Sequence, residues 1–374
     1  QTLEKQGHLY LAAVFLIQGV RPDTDPQSLY PIYLQLGRIL ALLPGEDLDA
    51  ITHHFPRFAS APELLAEVEH NAPDYNDRRE AAMLTADALR SLGRSTGAME
   101  HLMRFLGRTR DPVVEQVFQH RFDEFMAQAR QEGRYANFLR LWASLEDWKS
   151  YLTGPQLLSI GETLLSLDLI DKAVEVFSFL RRYQLYRGVW DEAGKGLIRA
   201  MFTKGEWADC LALIETGTSS QLVPEGEFLY YRLRCAEKLG RSGWQETLRQ
   251  IEPPKTCDRF DLELQLMRGE LFVRENRIGQ AIEVYLAVDR MPDLAPERRR
   301  AVAQRLADLY YLGGDLAKAL PAYRRLDEIG GESDWSLYQQ ILTLHALGRK
   351  EEADRTEERL KTRYPQSPWT KRTP

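Results

Sequence analysis

The chain has 374 residues, of which 44% are hydrophobic and 28% charged, a composition that supports a packed core and excludes a wholly disordered chain. The formal net charge of -6 and a pI near 5.8 disfavour a bulk electrostatic grip on nucleic acid. The longest apolar run, residues 9–17, is shorter than the about 18 residues needed to cross a bilayer, so no membrane span is predicted within the chain.

The N-terminal part is predicted to be helical but irregular. Residues 1–78 are expected to contain four helices, at 2–20, 29–43, 47–55 and 62–70. Asp25 followed by Pro26 provides a capping oxygen and a first-turn proline, and Pro44 followed by Gly45 provides a stop. These helices alternate with short turns, as in helical hairpins, but they lack the residue spacing that is found from residue 79 onward. We therefore interpret them as an atypical cap or divergent repeats, since a terminal unit has one face in water.

From residue 79 to residue 365 the sequence predicts about eight helix pairs, followed by a tail at 366–374. A reference residue, small in most units, recurs in the second helix of each pair, at Ala98, Phe138, Ala173, Cys210, Thr247, Ala281, Ala319 and Ala353. The turns before these positions are predicted to contain Gly93, Gly133, Asp168, Gly205, Ser242, Asn276, Gly314 and Gly348. Four units depart from the small-residue pattern, most of all the one in which Phe138 faces Met126, where the helices are expected to spread.

The small residues have a physical reason. Two antiparallel helices approach closely only where neither has a bulky side chain at the crossing, and Gly269 with Ala281 and Ala307 with Ala319 meet that requirement. Tyr285, four places after Ala281, is expected to pack against the next unit. One hairpin cannot bury its apolar stripe alone, so neighbouring pairs must stack on a continuous core.

A period near 34, with small residues at fixed offsets on two helices, resembles the tetratricopeptide repeat (TPR). The resemblance implies an all-α, right-handed superhelical solenoid of antiparallel helix pairs, here preceded by atypical N-terminal helices. It also implies a non-enzymatic scaffold that binds a partner peptide or protein in its concave groove.

The resemblance also implies which residues line that groove. In the family these are first-helix residues one, four and five places after the small position, and three and six places before it. Carried onto this sequence, the offsets give the partner-binding candidates Glu162, Lys195, Arg199, Phe202, Arg232, Glu270, Asp308, Tyr311 and Tyr338. The same offsets also give Leu165, Leu239, Leu266, Val273 and His345. The Lys/Asn pattern of family members that clamp a carboxylate is absent, so that specific function is not expected.

No pattern for catalysis, cofactor binding or metal binding is found. The sequence has neither a phosphate-cradling glycine loop nor a Gly-x-Ser-x-Gly elbow. The adjacent pair His53-His54 would point about 100° apart on a helix, which makes a poor chelate. Cys210 and Cys235 are expected to be buried packing residues, and Cys257 to be exposed in a loop. We therefore predict no enzyme, no cofactor and no metal site.

The leading interpretation is a protein-interaction scaffold, with a bacterial envelope assembly as its expected setting. The alternative left open is a self-associating solenoid, a homodimer that uses residues 9–17 as a contact. The run Tyr-Pro-Gln-Ser-Pro-Trp at 364–369 resembles repeat ends in bacterial envelope assembly proteins, and the sequence starts at Gln1 rather than Met. Both favour a periplasmic or membrane-tethered location, with the cytoplasm as the alternative.

Overall fold

The computed structural model describes residues 7–21, 24–58, 60–144, 148–217, 226–252 and 258–372, and all regular structure in these ranges is helical. The predicted all-α repeat class is thereby confirmed. The chain divides into two compact units, residues 1–163 with 182–189 and residues 164–181 with 190–374. The predicted division at residue 78 concerns the start of the repeat pattern and stays a prediction. Cys257, which is predicted to be exposed in a loop, lies outside the described residues.

The described residues of the N-terminal part form four helices. They are α1 (Leu9–Gly19), α2 (Pro26–Leu40), α3 (Gly45–His54) and α4 (Ala61–Asn71). The second begins at Pro26, directly after the capping position Asp25, and Ser60 accepts a hydrogen bond from the Glu63 amide at the start of the fourth. The two approach closely at Gly37, where an added Cβ would lie 2.5 Å from Leu65 Cγ. Glycine at this position therefore permits α2 to pack on α4.

Sixteen helices follow, joined two by two through short turns. The first eight are α5 (Tyr75–Ser91), α6 (Ser95–Thr109), α7 (Pro112–Glu132), α8 (Ala136–Ser144), α9 (Gly154–Ser166), α10 (Ile170–Arg182), α11 (Trp190–Lys204) and α12 (Trp207–Gly217). The others are α13 (Glu227–Lys238), α14 (Trp244–Arg249), α15 (Arg259–Arg274), α16 (Ile278–Asp289), α17 (Pro296–Leu312), α18 (Leu316–Gly330), α19 (Asp334–Ala346) and α20 (Lys350–Arg363). Short 3-10 segments lie at Pro56–Phe58, Trp148–Tyr151, Gln184–Val189 and Pro368–Lys371.

All eight turns between paired helices have the same hydrogen-bond pattern, the Schellman motif. The amide of one residue donates to the carbonyl three places earlier, and the next amide donates to the carbonyl five places before it. The residue at the centre has a positive φ in every case: Gly93, Gly133, Asp168, Gly205, Gly240, Asn276, Gly314 and Gly348. Glycine, Asn and Asp tolerate this left-handed conformation best, which is why these residue types mark the turns.

The fifth turn corrects the sequence register. Its left-handed residue is Gly240 rather than the predicted Ser242, and a second positive φ at Gly243 delays the start of α14. The predicted reference residue Thr247 is half-buried, whereas Trp244 and Leu248 enter the core. The extra residues of this unit therefore lie between Gly240 and the start of α14. Equivalent positions on α13 must be counted back from Gly240.

The small residues permit close packing, as expected. Ala281, Ala319 and Ala353 are fully buried. A Cβ added to Gly269 would lie 2.6 Å from the ring of Tyr285, so the closest approach is to the residue one turn after Ala281. Where Phe138 faces Met126, both side chains are buried.

Candidate protein-binding face

The repeat turns define equivalent positions on successive first helices. We take as reference the residue seven places before each left-handed turn residue. In the unit that contains residues 190–374, these references are Ile198, Leu233, Gly269, Ala307 and Ile341. The first-helix face is defined as the side chains three places before and one and four places after each reference, on α11, α13, α15, α17 and α19.

Core packing supports this register. On α13, three residues around the reference Leu233 pack against α12. They are Phe228, five places before it, Tyr231, two places before it, and Cys235, two places after it. The corresponding residues on α15 pack in the same way against α13 and α14; they are Leu264, Met267 and Leu271. The two helices therefore present equivalent surfaces. The face of α13 consists of Tyr230, Arg234 and Glu237, and Arg232 falls outside it.

Arg199, a predicted groove residue on α11, is held by an ion pair with α13. Its Nε and Nη2 atoms each lie 2.6 Å from one carboxylate oxygen of Glu227. Tyr231 donates its hydroxyl hydrogen to the same carboxylate at 3.0 Å. Burial raises the pKa of Tyr231, and the Glu227 charge raises it further. The guanidinium of Arg199 is thus neutralised within the chain, and it joins two neighbouring first helices.

A second ionic cluster joins α13 to α15. Glu237 lies 2.9 Å from Arg234 on its own helix and 2.9 Å from Arg274 on α15. Burial opposes ionisation of Glu237, but hydrogen bonds from both guanidinium groups outweigh it and lower the pKa. The Arg234 guanidinium also lies over the Tyr230 ring at 5.7 Å. The positive charges of this part of the face are therefore also paired internally.

Aromatic rings fill the space between these ion pairs. Phe202, a predicted candidate, contacts Tyr231 with ring centroids 4.4 Å apart and Tyr230 at 5.9 Å. Tyr230 in turn contacts Phe260 at 6.0 Å. Phe202 and Tyr230 are half-buried, so their outer edges remain part of the surface.

Further along, the face is acidic. Glu270 on α15 and Asp308 on α17 occupy equivalent positions, one place after their references, and both are half-buried. Asp308 accepts a hydrogen bond from the Tyr323 hydroxyl at 2.8 Å. Burial raises the pKa of Asp308, although the hydrogen bond from Tyr323 and the Arg305 charge oppose the shift.

The remaining candidates have different surroundings. Tyr311 is half-buried four places after the α17 reference, and its neighbour Leu312 is among the most exposed apolar residues described, at 68%. Tyr338 on α19 stacks on Trp369 of the tail, with centroids 4.9 Å apart and planes inclined by 24°. In the same tail, the Thr370 hydroxyl donates a hydrogen bond to the Ser367 carbonyl at 2.7 Å.

Two candidates lie apart from the ion-pair clusters. Lys195 is half-buried on α11, one turn before Arg199. Glu162 is exposed on α9 and belongs to the unit that contains residues 1–163, so it is not grouped with the face.

Nothing in the described part of the chain adds a metal or membrane site. No group of three or more His, Cys, Asp or Glu residues there is arranged to hold a metal ion, and no described helix is long and apolar enough to span a bilayer. His53 and His54 have ring centroids 5.0 Å apart and inclined rings. Cys210 and Cys235 are fully buried packing residues, as predicted.

Sequence reasoning missed Tyr230, Arg234 and Glu237 as members of this surface, and Glu227 as the ion-pair partner of Arg199. The available signal was the Leu-Gly-Arg sequence at 239–241, in which the glycine follows a helix as it does in five other turns. Choosing Ser242 instead shifted every position on α13 by two residues.

Comparisons with known proteins give structural neighbours but no family. No protein-family model and no curated protein matches the chain. Among solved structures, the chain is similar to PilF of Pseudomonas aeruginosa, with 18% identity, a TM-score of 0.42, and coverage of 59% of this chain and 95% of that one. It is also similar to the APC/C hetero-tetramer Cut9-Hcn1, with 12% identity, a TM-score of 0.38, and coverage of 98% and 82%.

A third similar structure is the P58(IPK) TPR domain, with 12% identity, a TM-score of 0.31, and coverage of 92% of this chain and 96% of that one. These scores correspond to partial overlap, so the architecture is established by the chain's own turns and helix pairs. Eight identical Schellman turns, each joining two helices, give the chain a TPR-like helical-repeat fold.

Proposed function

We propose that the chain is a non-enzymatic scaffold and that the first-helix face of residues 190–346 binds a polypeptide partner. The observation that carries this proposal is the repetition of half-buried polar and aromatic side chains at equivalent positions on five successive first helices. Such side chains combine contact area with directed hydrogen bonds and do not belong to the fully buried core. The predicted candidates that remain available in this arrangement are Lys195, Phe202, Glu270, Asp308, Tyr311 and Tyr338.

The test uses a random peptide library displayed on phage and selected on the immobilised full chain. Peptides that are selected are synthesised, and their Kd is measured by fluorescence anisotropy. We expect the double variant Tyr311→Ala/Leu312→Ser to weaken binding at least about tenfold, since anchoring residues dominate interfaces. The matched control is Leu185→Ser, which removes an apolar side chain that is 82% exposed elsewhere. Equal affinity for the parent and the double variant would refute the docking face.

The cellular setting in this proposal is a bacterial envelope assembly, on the envelope side of the membrane. Its support is the tail sequence at 364–369, in which Ser367 caps the 3-10 segment Pro368–Lys371 and Trp369 packs on α19. Fractionation of the source cells, with detection of the native chain in periplasmic, membrane and cytoplasmic fractions, tests this location. Recovery in the cytoplasmic fraction would contradict it.

Self-association is the second candidate function, and one observation favours it. Leu11 and Phe15 lie one turn apart on α1 and are 53% and 70% exposed, on a helix with no charged residue. An exposed apolar pair of this kind is a natural contact between two copies. Light scattering across a tenfold dilution, on the parent and on Phe15→Ser, tests it. A parent that is monomeric at every concentration would rule it out.

A further inference from the structure

The charges of the first-helix face differ in whether the chain itself neutralises them. Arg199 is paired with Glu227, and Arg234 and Arg274 are both paired with Glu237. These arginines are therefore committed to holding α11, α13 and α15 together. A partner that offered carboxylates to them would have to compete with ion pairs that are already formed.

The carboxylates of Glu270 and Asp308 are in the opposite situation. Within the described residues, no Lys, Arg or His nitrogen lies within ion-pair distance of either group. Arg305 is the nearby cation, and its charge opposes the burial that raises the pKa of Asp308. One guanidinium faces two carboxylates, so this part of the face retains negative charge.

The two carboxylates lie close enough to act on one segment. They occupy the same repeat position on α15 and α17, which share one apolar cluster, and Glu263 on α15 forms an ion pair with Arg298 on α17 at 2.7 Å. Both side chains are half-buried, so their charges are screened less than those of fully exposed residues. A single Lys or Arg side chain that approaches between the two helices can reach this region.

An apolar patch, formed by Tyr311 and Leu312, adjoins Glu270 and Asp308. Tyr311 follows Asp308 by three residues on α17, and Leu312 beside it is 68% exposed. Neither side chain is part of an ion pair, and an apolar side chain of a partner can cover both. The surface therefore offers one acidic and one apolar contact within a single turn of helix.

We infer that the partner of this chain presents a segment in which a Lys or Arg binds between Glu270 and Asp308 and a neighbouring aliphatic or aromatic side chain packs on Tyr311 and Leu312. This inference rests on the proposed docking function and adds its charge preference. The preference is for a basic rather than an acidic partner segment. The physical reason is that Arg199, Arg234 and Arg274 already form internal ion pairs, whereas Glu270 and Asp308 form none among the described residues.

The experiment compares peptide selection on three forms of the full chain. They are the parent, the double variant Glu270→Gln/Asp308→Asn, and a control double variant Asp354→Asn/Glu358→Gln on exposed positions of α20. Both doubles change the net charge by the same amount. We expect peptides selected on the parent to be enriched in Lys and Arg next to apolar residues. Their Kd should rise about tenfold on the acidic-pair double and stay unchanged on the control.

The outcomes separate this inference from the docking proposal. The selected peptides could lack enrichment in Lys and Arg and still bind Tyr311→Ala/Leu312→Ser more weakly than the parent. That result would overturn the charge preference and leave the docking face standing. Peptides insensitive to all face variants would overturn both. If the acidic-pair variant and the control double variant weaken peptide binding equally, the peptides are attracted by the net negative charge of the protein. That result would overturn the proposed site. Thermal melting of each variant is the folding control, and Glu270→Gln alone replaces the double if Asp308→Asn unfolds.

Discussion

The first-helix face on α11 and α13 and the face on α15 and α17 both contain charged residues but use them differently. On the first two helices, Arg199 and Glu227 form a two-point ion pair between neighbouring units. On the other two, Glu270 and Asp308 occupy equivalent positions without an ion pair among the described residues. Charges that neutralise each other support the stacking of units, whereas charges without a partner are available for another molecule.

The largest expected effect comes from breaking the ion pair between α11 and α13. Arg199→Ala leaves the Glu227 carboxylate, which is 11% exposed, without its cation. Removing one partner of an ion pair costs several kcal/mol of unfolding free energy when both groups are buried. Because Arg199 is partly exposed, we expect a smaller loss, of about 2 kcal/mol. Urea unfolding monitored by circular dichroism measures the change. The control Arg355→Ala, on an exposed pair with a 3.8 Å separation, should change stability by less than about 0.5 kcal/mol.

The second prediction concerns the pH dependence of Glu237. Its pKa is lowered in the folded chain, so its contribution to stability is fully present above the unfolded value of 4.5 and is lost as the pH falls through the folded value. Glu237→Gln should therefore cost about 1.5 kcal/mol at pH 7 and progressively less below about pH 4.5. Thermal melting of the parent and the variant between pH 3 and pH 8 measures this. A difference that is constant with pH would contradict the ionic role.

The third prediction has the opposite sign. The pKa of Asp308 is raised in the folded chain, so the folded state binds the proton more tightly, and stability falls as the pH rises from 3.8 through the folded value. Asp308→Asn retains an oxygen that accepts from Tyr323 and removes the charge. Its stability relative to the parent should therefore improve as the pH rises through this window, by less than about 1 kcal/mol. The same series of melting curves measures it, and a relative stability that worsens would refute the burial argument.

The smallest expected effect is that of Glu270→Gln on stability. The carboxylate has no ion pair within the described residues, so neutralising it should change the free energy of unfolding by no more than about 0.5 kcal/mol. The loss of a basic peptide's affinity, with stability preserved, would mark Glu270 as a binding residue. A destabilisation comparable to that of Arg199→Ala would instead mean that the acidic part of the face is also structural.

Particular residues show how far the sequence could predict this surface. Seven of the eight turn residues were identified from the spacing alone, because a left-handed residue after a helix is nearly always Gly, Asn or Asp. The eighth was misplaced because Ser242-Gly243 follows Gly240 closely and both glycines have a positive φ. Within a repeat, an error of two residues moves every side chain on a helix to a different face.

The amino-acid sequence by itself determined the helix pairs, the turn positions and the burial of the small residues. These features depend on local backbone preferences and on the period of apolar side chains. Both can be read directly from the order of the residues. Only the tertiary structure decided that Arg199 meets Glu227 and that Arg274 meets Glu237, while Glu270 and Asp308 form no ion pair among the described residues. Ion pairs between residues 28 and 37 positions apart depend on how the helices are stacked, and charge alone does not specify a partner.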